Sequence, residues 1–279
     1  MNDLDPAWLR SFAAIARTGS VTRAAQQVHR TQSAVSTHLQ HLEAAVGVRL
    51  VERSTRALAL TPPGLTFLPH ALSLLRAQDE AHAALRPASD PVVCRLGISE
   101  YFMPRRLGEL LGVLREAAGG AQLELLMSTS APVQRHWAQG EADLVVFTAN
   151  APPARAKLLR REPLAWVRAP GLALQQQQPV PLVLLGSECP VRDIALAGLT
   201  RLGRAHRVQL VCTGSQAAVA AIGAGWGVGC LNQSAITPEL DVLTRHNPKR
   251  WPSPGRLSFY LLARPSARPL AQALSAWAR

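Results

Sequence analysis

Apolar residues recur at helical spacing in three segments near the start of the chain. Residues 6–18 place their apolar side chains on one helical face, and Gly19 is suited to end that helix. Ser20 is a candidate N-cap for a short second helix, whose pattern breaks at His29. A third helix is predicted over 32–46, because its apolar residues follow one buried stripe. Two such helices joined by a short turn predict a helix-turn-helix.

The third predicted helix has one face without apolar residues, formed by Gln32, Ser33, Ser36, Thr37 and Gln40. Short hydrogen-bonding side chains of this kind are what contact with base edges in the major groove requires. Residues 48–60 then predict two short strands around a turn that contains Arg53 and Arg56. A basic turn between two strands is typical of a wing that meets DNA phosphates.

A long helix is predicted over 61–86, opened by Thr61-Pro62-Pro63. Its leucines follow a heptad pattern, at Leu65, Leu68, Leu72 and Leu75. Since the pattern offers this stripe no partner in its own domain, it predicts pairing with a second copy of the chain. The run from 86 to 91 is rich in Pro and polar residues and predicts a hinge.

From residue 92 onward, predicted strands and helices alternate, which favours a mostly parallel sheet with helices packed on it. Parallel sheets bind ligands at the carboxyl ends of their strands. The predicted strands are 92–98, 121–127, 143–147, 163–168, 181–186, 208–212, 227–231 and 257–263, and the predicted helices are 104–117, 131–139, 190–202, 215–224 and 268–278.

Composition adds little to this picture. The formal net charge of +12 favours a polyanionic partner, but residues 1–60 hold only seven Arg against four acids, a net of +3. No apolar run is long enough to span a membrane, and the N-terminus has acids where a signal peptide needs basic residues. We therefore expect a cytoplasmic protein without a membrane partner.

No catalytic or metal-binding pattern emerges. The four cysteines form no C-x-x-C pair and have no His at zinc spacing, and no Ser-His-Asp or paired-carboxylate set is apparent. The glycines between 223 and 229 end a predicted helix and open a strand, whereas a dinucleotide-binding loop does the reverse. We expect no enzyme activity, no cofactor and no metal.

The N-terminal motifs together resemble the LysR-type DNA-binding domain. They are Gly19-Ser20-Val21-Thr22-x-Ala24-Ala25, Thr31-Gln32-Ser33-Ala34-Val35-Ser36, Leu42-Glu43, Glu52-Arg53, Leu60-Thr61 and Gly64. Farther along, Glu141–Val146, Glu162–Val167 and Ala224–Gly229 resemble segments of the same family's ligand-sensing domain. The resemblance implies an α/β protein with an all-α winged helix-turn-helix domain and a two-lobed, periplasmic-binding-protein-like effector domain. It also implies a homo-oligomer, which is either a homodimer or a homotetramer built as a dimer of dimers.

The resemblance gives provisional domain boundaries. We expect a winged helix-turn-helix over 1–60, a dimerisation helix over 61–87 and an effector-binding domain over 88–279, with one lobe at about 92–161 and 265–279 and the other at about 162–264. Promoter DNA would be contacted by Thr31, Gln32, Ser33, Ser36, Thr37, Arg53 and Arg56. Gln32 is the expected main base contact, because Ser36 and Thr37 cannot grip a base with two hydrogen bonds.

Several polar residues at predicted strand ends and helix starts form the expected effector site: Ser99, Glu100, Tyr101, Thr129, Ser130, Thr148, Thr213 and Ser215. The resemblance adds Asn232, which stands where the family usually has Pro. Hydroxyls and helix N–H groups suit a small carboxylate, while Glu100 would be explained by an amine-bearing ligand. The alternative is that these hydroxyls are ordinary helix caps.

Two further hypotheses stay open. The region around Cys189 resembles the part of peroxide-sensing LysR-type regulators that holds their reactive cysteine, but 194–200 lacks a second cysteine and Cys212 is the nearest in sequence. Regulation by redox or by a protein partner, without a small-molecule effector, is therefore an alternative. A binding protein or enzyme with an inert DNA domain is the other, and the intact helix 32–46 argues against it.

Overall fold

A computed structural model describes residues 3–53, 58–84, 92–175, 178–246 and 249–279. Its internal contacts divide the chain into two units. The N-terminal unit comprises residues 1–90 and 138–141, and the C-terminal unit comprises residues 91–137 and 142–279.

Three helices build the start of the N-terminal unit, at the positions that the sequence predicts. They are α1 (Pro6–Thr18), α2 (Val21–Gln27) and α3 (Gln32–Val46). The Ser20 hydroxyl accepts a hydrogen bond from the Arg23 amide and so caps α2. Gly19 and Gly47 end α1 and α3 with φ values of 59° and 74°, a left-handed backbone that favours glycine.

The core of this unit lies between the three helices. Phe12, Val35 and Leu42 are fully buried there, and they bring the apolar faces of α1 and α3 together. Ala24 and Ala25 of α2 are also buried, and their small side chains let α2 cross α3 closely.

The predicted wing is present as an antiparallel pair, β1 (Val51–Arg53) and β2 (Leu58–Leu60). The Glu43 carboxylate of α3 accepts hydrogen bonds from the backbone amides of Leu50 and Val51, at 2.8 and 3.1 Å. These two bonds hold the first wing strand against α3, so Glu43 has a structural role.

The long helix α4 (Pro62–Ala84) is present, but the prediction that its leucine stripe lacks a partner in its own domain is correct for only part of the stripe. Leu72 and Leu75 are buried, and Leu75 joins the helix-turn-helix core with Leu68 packed beside it. A heptad pattern specifies an apolar stripe but not what covers it, and here α1 covers much of it. Leu65 is 62% exposed.

The C-terminal unit has two lobes, each with its own strands. In the first lobe, β3 (Val93–Ser99) pairs in parallel with β4 (Gln122–Ser128) and β5 (Leu144–Thr148). Two antiparallel strands extend this sheet, β11 (Arg256–Ala263) and the first half of β6 (Lys157–Arg168). The helices of this lobe are α5 (Leu107–Ala117), α6 (Ser130–Ala138) and α10 (Arg268–Trp277).

The second lobe begins on the second half of β6, which pairs antiparallel with β9 (Gly229–Asn232) and β10 (Asp241–Val242). Beside them, β7 (Val180–Leu185) and β8 (His206–Cys212) form a parallel pair. The helices are α7 (Pro190–Arg201), α8 (Ser215–Gly223) and the short α9 (Leu243–His246).

The expected mostly parallel sheet is therefore only partly correct. The parallel pairs are β3–β4, β3–β5 and β7–β8, whereas every described pairing of β6 or β11 is antiparallel. The antiparallel strand β11 separates β5 from β6 in the first sheet, and in the second lobe β6 is antiparallel to both β9 and β10. No helix in the described part of the chain is long and apolar enough to cross a membrane.

Candidate DNA interface and ligand cleft

The N-terminus of α3 presents the predicted DNA-contacting residues on an open surface. Thr31, Gln32, Ser33 and Thr37 are exposed, while Ser36 is partly buried. The Thr31 hydroxyl caps the helix by accepting from the Ala34 amide at 3.2 Å, and it lies 3.0 Å from the Ser33 hydroxyl. The Thr31 hydroxyl thus already accepts one hydrogen bond as the N-cap of α3, which limits what it can offer to DNA.

Gln32 is held from one side. The Thr22 hydroxyl of α2 donates to the Gln32 side-chain oxygen at 3.4 Å. This contact orients the amide without engaging its NH2 group in any described bond. Thr22, which sequence reasoning assigned no site role, thereby positions the residue expected to contact a base.

Other basic residues of this unit flank the same helix. Arg30 precedes α3 and Arg49 precedes β1, and both are exposed. Neither was among the predicted contacts, although each is a basic residue beside a predicted DNA-facing element. For Arg53 only the backbone at the end of β1 is described, and Arg56 lies outside the described residues.

Three predicted effector residues come together at the strand ends of the first lobe. Ser130, at the start of α6, lies 3.1 Å from the Ser99 hydroxyl and 2.9 Å from the Thr148 hydroxyl, and its oxygen accepts from the Thr148 amide. All three residues are buried. We call Ser99, Ser130 and Thr148 the hydroxyl cluster; in this conformation its members satisfy one another. Thr129 beside it is partly buried.

Glu100 and Ser215 meet across the two lobes. The Glu100 carboxylate accepts a hydrogen bond from the Ser215 amide, the first N–H of α8, at 2.7 Å. Ser215 is buried, and Glu100 is partly buried. Thr213 is exposed and is not brought into this contact. The structure thus joins the predicted residues of the first lobe to those of the second through a carboxylate.

Asn232 sits in a buried polar network rather than on an open surface. The two hydrogens of its side-chain NH2 are shared among the Tyr101 carbonyl, the Glu162 carboxylate and the Ser234 hydroxyl, which lie 2.9–3.0 Å from the nitrogen. Its predicted contact with effector would require some of these bonds to be exchanged.

Glu162 is the residue of this network that sequence reasoning missed. It is 1% exposed, accepts also from the Ser234 amide at 3.0 Å, and lies 3.1 Å from the Arg160 guanidinium. Glu162 is the one acid of β6 and stands directly before its apolar second half, and this was the available signal, because a buried charge requires partners.

Tyr101 and Cys189 are buried neighbours. Burial, with the nearness of Cys189 and Glu100, raises the pKa of the Tyr101 phenol. Burial also raises the pKa of the Cys189 thiol, and this outweighs the neighbouring Tyr101 phenol and backbone amides, which lower it. Both groups are therefore protonated at neutral pH.

Within the described ranges, no group of three or more His, Cys, Asp or Glu side chains could hold a metal ion.

Comparisons with known proteins agree with this architecture. Residues 6–65 match the family described as bacterial regulatory helix-turn-helix protein, lysR family, and residues 93–279 match the LysR substrate binding domain. The chain is 32% identical to the HTH-type transcriptional regulator PecT of Dickeya dadantii, over 86% of this chain and 76% of PecT.

Two further relatives illustrate the range of proteins that this chain is similar to. A probable hydrogen peroxide-inducible genes activator of Mycobacterium avium is 31% identical over 84% of this chain and 79% of its own length. The crystal structure of ArgP from Mycobacterium tuberculosis matches with a TM-score of 0.69 at 19% identity, covering 99% of this chain and 98% of ArgP. The chain belongs to the LysR family of transcriptional regulators, with a DNA-binding helix-turn-helix and an effector-binding domain.

Proposed function

We propose that this regulator binds specific promoter sequences through the N-terminal half of α3 and that a small-molecule effector held between the lobes modulates this binding. The exposed polar face of α3 is the observation on which the DNA part depends. The proposed domains remain 1–60, 61–87 and 88–279. Gln32 would contact a base edge, Thr31, Ser33, Ser36 and Thr37 the neighbouring groups, and Arg53 and Arg56 the phosphates. Arg30 and Arg49 are added as phosphate contacts.

The effector is proposed to be a small carboxylate or an amino-acid-like metabolite. The hydroxyl cluster at the start of α6 and the amides at the start of α8 are groups that suit a carboxylate. Strand β6 runs from one lobe into the other, so a change in the angle between the lobes would have to bend this strand. A ligand shifts this equilibrium only as far as its affinities for the two states differ.

A homodimer, further paired into a homotetramer, is proposed for the working assembly. Leu65 and Leu74 of α4 are 62% and 47% exposed, which leaves apolar surface on this helix for a second copy of the chain. Of the predicted stripe, Leu68, Leu72 and Leu75 pack partly or fully within one chain, so Leu65 is the member most available to this contact, and Leu74 is added to it.

Thermal-shift measurements with small carboxylates and amino acids test the effector proposal. An effector at a hundredfold excess over its Kd stabilises the protein by about 2.7 kcal/mol, which should raise the melting temperature by several degrees. Ser99→Ala and Thr148→Ala should remove this ligand-induced rise, each compared with the unliganded variant. Ser275→Ala, a buried serine on α10, is the matched control and should keep the rise. A ligand whose effect survives both cleft substitutions would place the site elsewhere.

Redox control is the second candidate, favoured by the similarity to the probable peroxide-inducible activator. Burial, and to a smaller extent Cys189, raises the pKa of the Cys230 thiol, which makes Cys230 a candidate partner for Cys189 that the sequence did not suggest. Against this, both thiols are buried and both have raised pKa values, so little reactive thiolate is present.

We therefore predict that Cys189 resists oxidation in the folded protein. Folded protein is treated with or without equimolar hydrogen peroxide, then denatured and alkylated, and labelling of Cys189 is measured by mass spectrometry; it should be equally high in both samples. Protein that is denatured before peroxide is added, so that Cys189 is exposed during oxidation, is the control and should lose labelling. Peroxide-dependent protection of Cys189, or a Cys189–Cys230 disulfide, would instead establish the redox alternative.

A further inference from the structure

Helix α8 has no N-terminal cap from the residues that directly precede it. Its N-cap position is Gly214, which has no side chain to offer, and Thr213 forms no capping bond. The first amide is instead satisfied by Glu100, which lies 115 residues earlier in the chain and in the other lobe. A Cβ atom added to Gly214 would lie 3.3 and 3.5 Å from the two Glu100 carboxylate oxygens, so both oxygens face the helix start.

The Glu100 carboxylate lies near the uncharged Tyr101 phenol, and no cationic side chain in the described part of the chain pairs with it. Although the chain has a net charge of +12, none of the ion pairs among the described residues includes Glu100. The N-terminus of a helix carries partial positive charge, which makes α8 the group that balances this carboxylate. A carboxylate held by the first amides of a helix is also the arrangement in which proteins bind small anions.

Two more hydrogen bonds cross between the lobes from the same stretch of chain. The Tyr101 carbonyl accepts from Asn232 at 3.0 Å, and the Arg105 guanidinium donates to the Ile236 carbonyl at 2.9 Å. We call residues 100–105 the bridging segment. Met103 within it has a φ of 48°, a left-handed conformation that is costly for a residue other than glycine and needs surrounding contacts to hold it.

We propose that Glu100 is a built-in carboxylate ligand, which joins the lobes at α8 as the carboxylate of an effector would. The proposal rests on the proposed effector function of the cleft and narrows it. Since the chain itself fills the anion position at α8, an effector has to displace Glu100 or meet it with a cationic group. A simple carboxylate should therefore gain little at α8 in the unaltered protein.

Chemical rescue with acetate tests this directly. Glu100→Ala removes the carboxylate and leaves the α8 amides open, so acetate should stabilise the variant more than sodium chloride at equal ionic strength. At about tenfold excess over its Kd, acetate should raise the melting temperature of the full-length variant by roughly 3 °C. The unaltered protein and Glu116→Ala, which removes an exposed acid of α5, should show no acetate rise beyond that of chloride.

An equal response of Glu100→Ala and the unaltered protein to acetate would overturn the proposal. If Glu100→Ala does not fold, Glu100→Gln keeps the volume and one acceptor but removes the charge. It should melt below the unaltered protein at low salt, and equal melting temperatures would also overturn the proposal. Acetate rescue does not depend on finding a natural effector, so a failed ligand screen and a failed rescue are separate results.

Discussion

The Gly64→Ala substitution is expected to unfold the winged helix-turn-helix and abolish DNA binding. A Cβ atom at position 64 would lie 2.0 Å from the Leu50 carbonyl oxygen and 3.0 Å from its carbonyl carbon. The same oxygen accepts from the Thr61 amide at 3.0 Å, and Thr61 in turn donates to the Arg49 carbonyl. The clash is thus with backbone that is fixed where the wing meets α4.

We expect Gly64→Ala to destabilise this unit by more than about 3 kcal/mol, at the upper end of single substitutions. Thermal melting followed by circular dichroism, together with binding to duplex DNA, measures it. Gly112→Ala, on α5 with nothing within 4 Å of the added Cβ, is the matched control and should be stabilising by about 0.5–1 kcal/mol. Similar melting of Gly64→Ala and the unaltered protein would mean that the wing does not sit against α4 as described.

Substitution of Gln32 is expected to change which DNA sequences are bound. A glutamine side chain can form two hydrogen bonds with an adenine edge, and a good contact of that kind contributes about 1–3 kcal/mol of discrimination. The Thr22 contact at 3.4 Å already restricts the Gln32 amide before DNA is bound. Gln32→Ala should therefore reduce preference at one base pair of each half-site by roughly tenfold or more.

The helices of the DNA-binding domain could be predicted from sequence because their signals are local. A stripe of apolar residues, Ser20 as a cap and glycines at 19 and 47 define each helix within its own few turns. By contrast, β6 was predicted only from residue 163 but begins at Lys157. Its first half is largely exposed and charged, and it is a strand because β11 pairs with it.

The features that could not be predicted from the sequence depend on contacts between segments that are far apart in the chain. The leucine stripe of α4 was visible, but whether α1 or a second chain covers it depends on tertiary packing. Ser99, Ser130 and Thr148 were assigned to one effector site because they lie at predicted strand ends and a helix start, and the structure brings their hydroxyls within hydrogen-bond distance. The pairing of Glu100 with α8 could not be predicted from the sequence. The only signal was the presence of an acidic residue in a site that was expected to bind a small carboxylate.

Selection of bound sequences from a random duplex DNA library tests most directly whether the N-terminus of α3 contacts bases. The unaltered protein should enrich one motif with two related halves, and Gln32→Ala should enrich the same motif with one position per half relaxed. Gln122→Ala, an exposed glutamine on β4 of the other unit, should leave the motif unchanged. No enrichment by the unaltered protein, or an identical motif from Gln32→Ala, would contradict the proposed DNA interface.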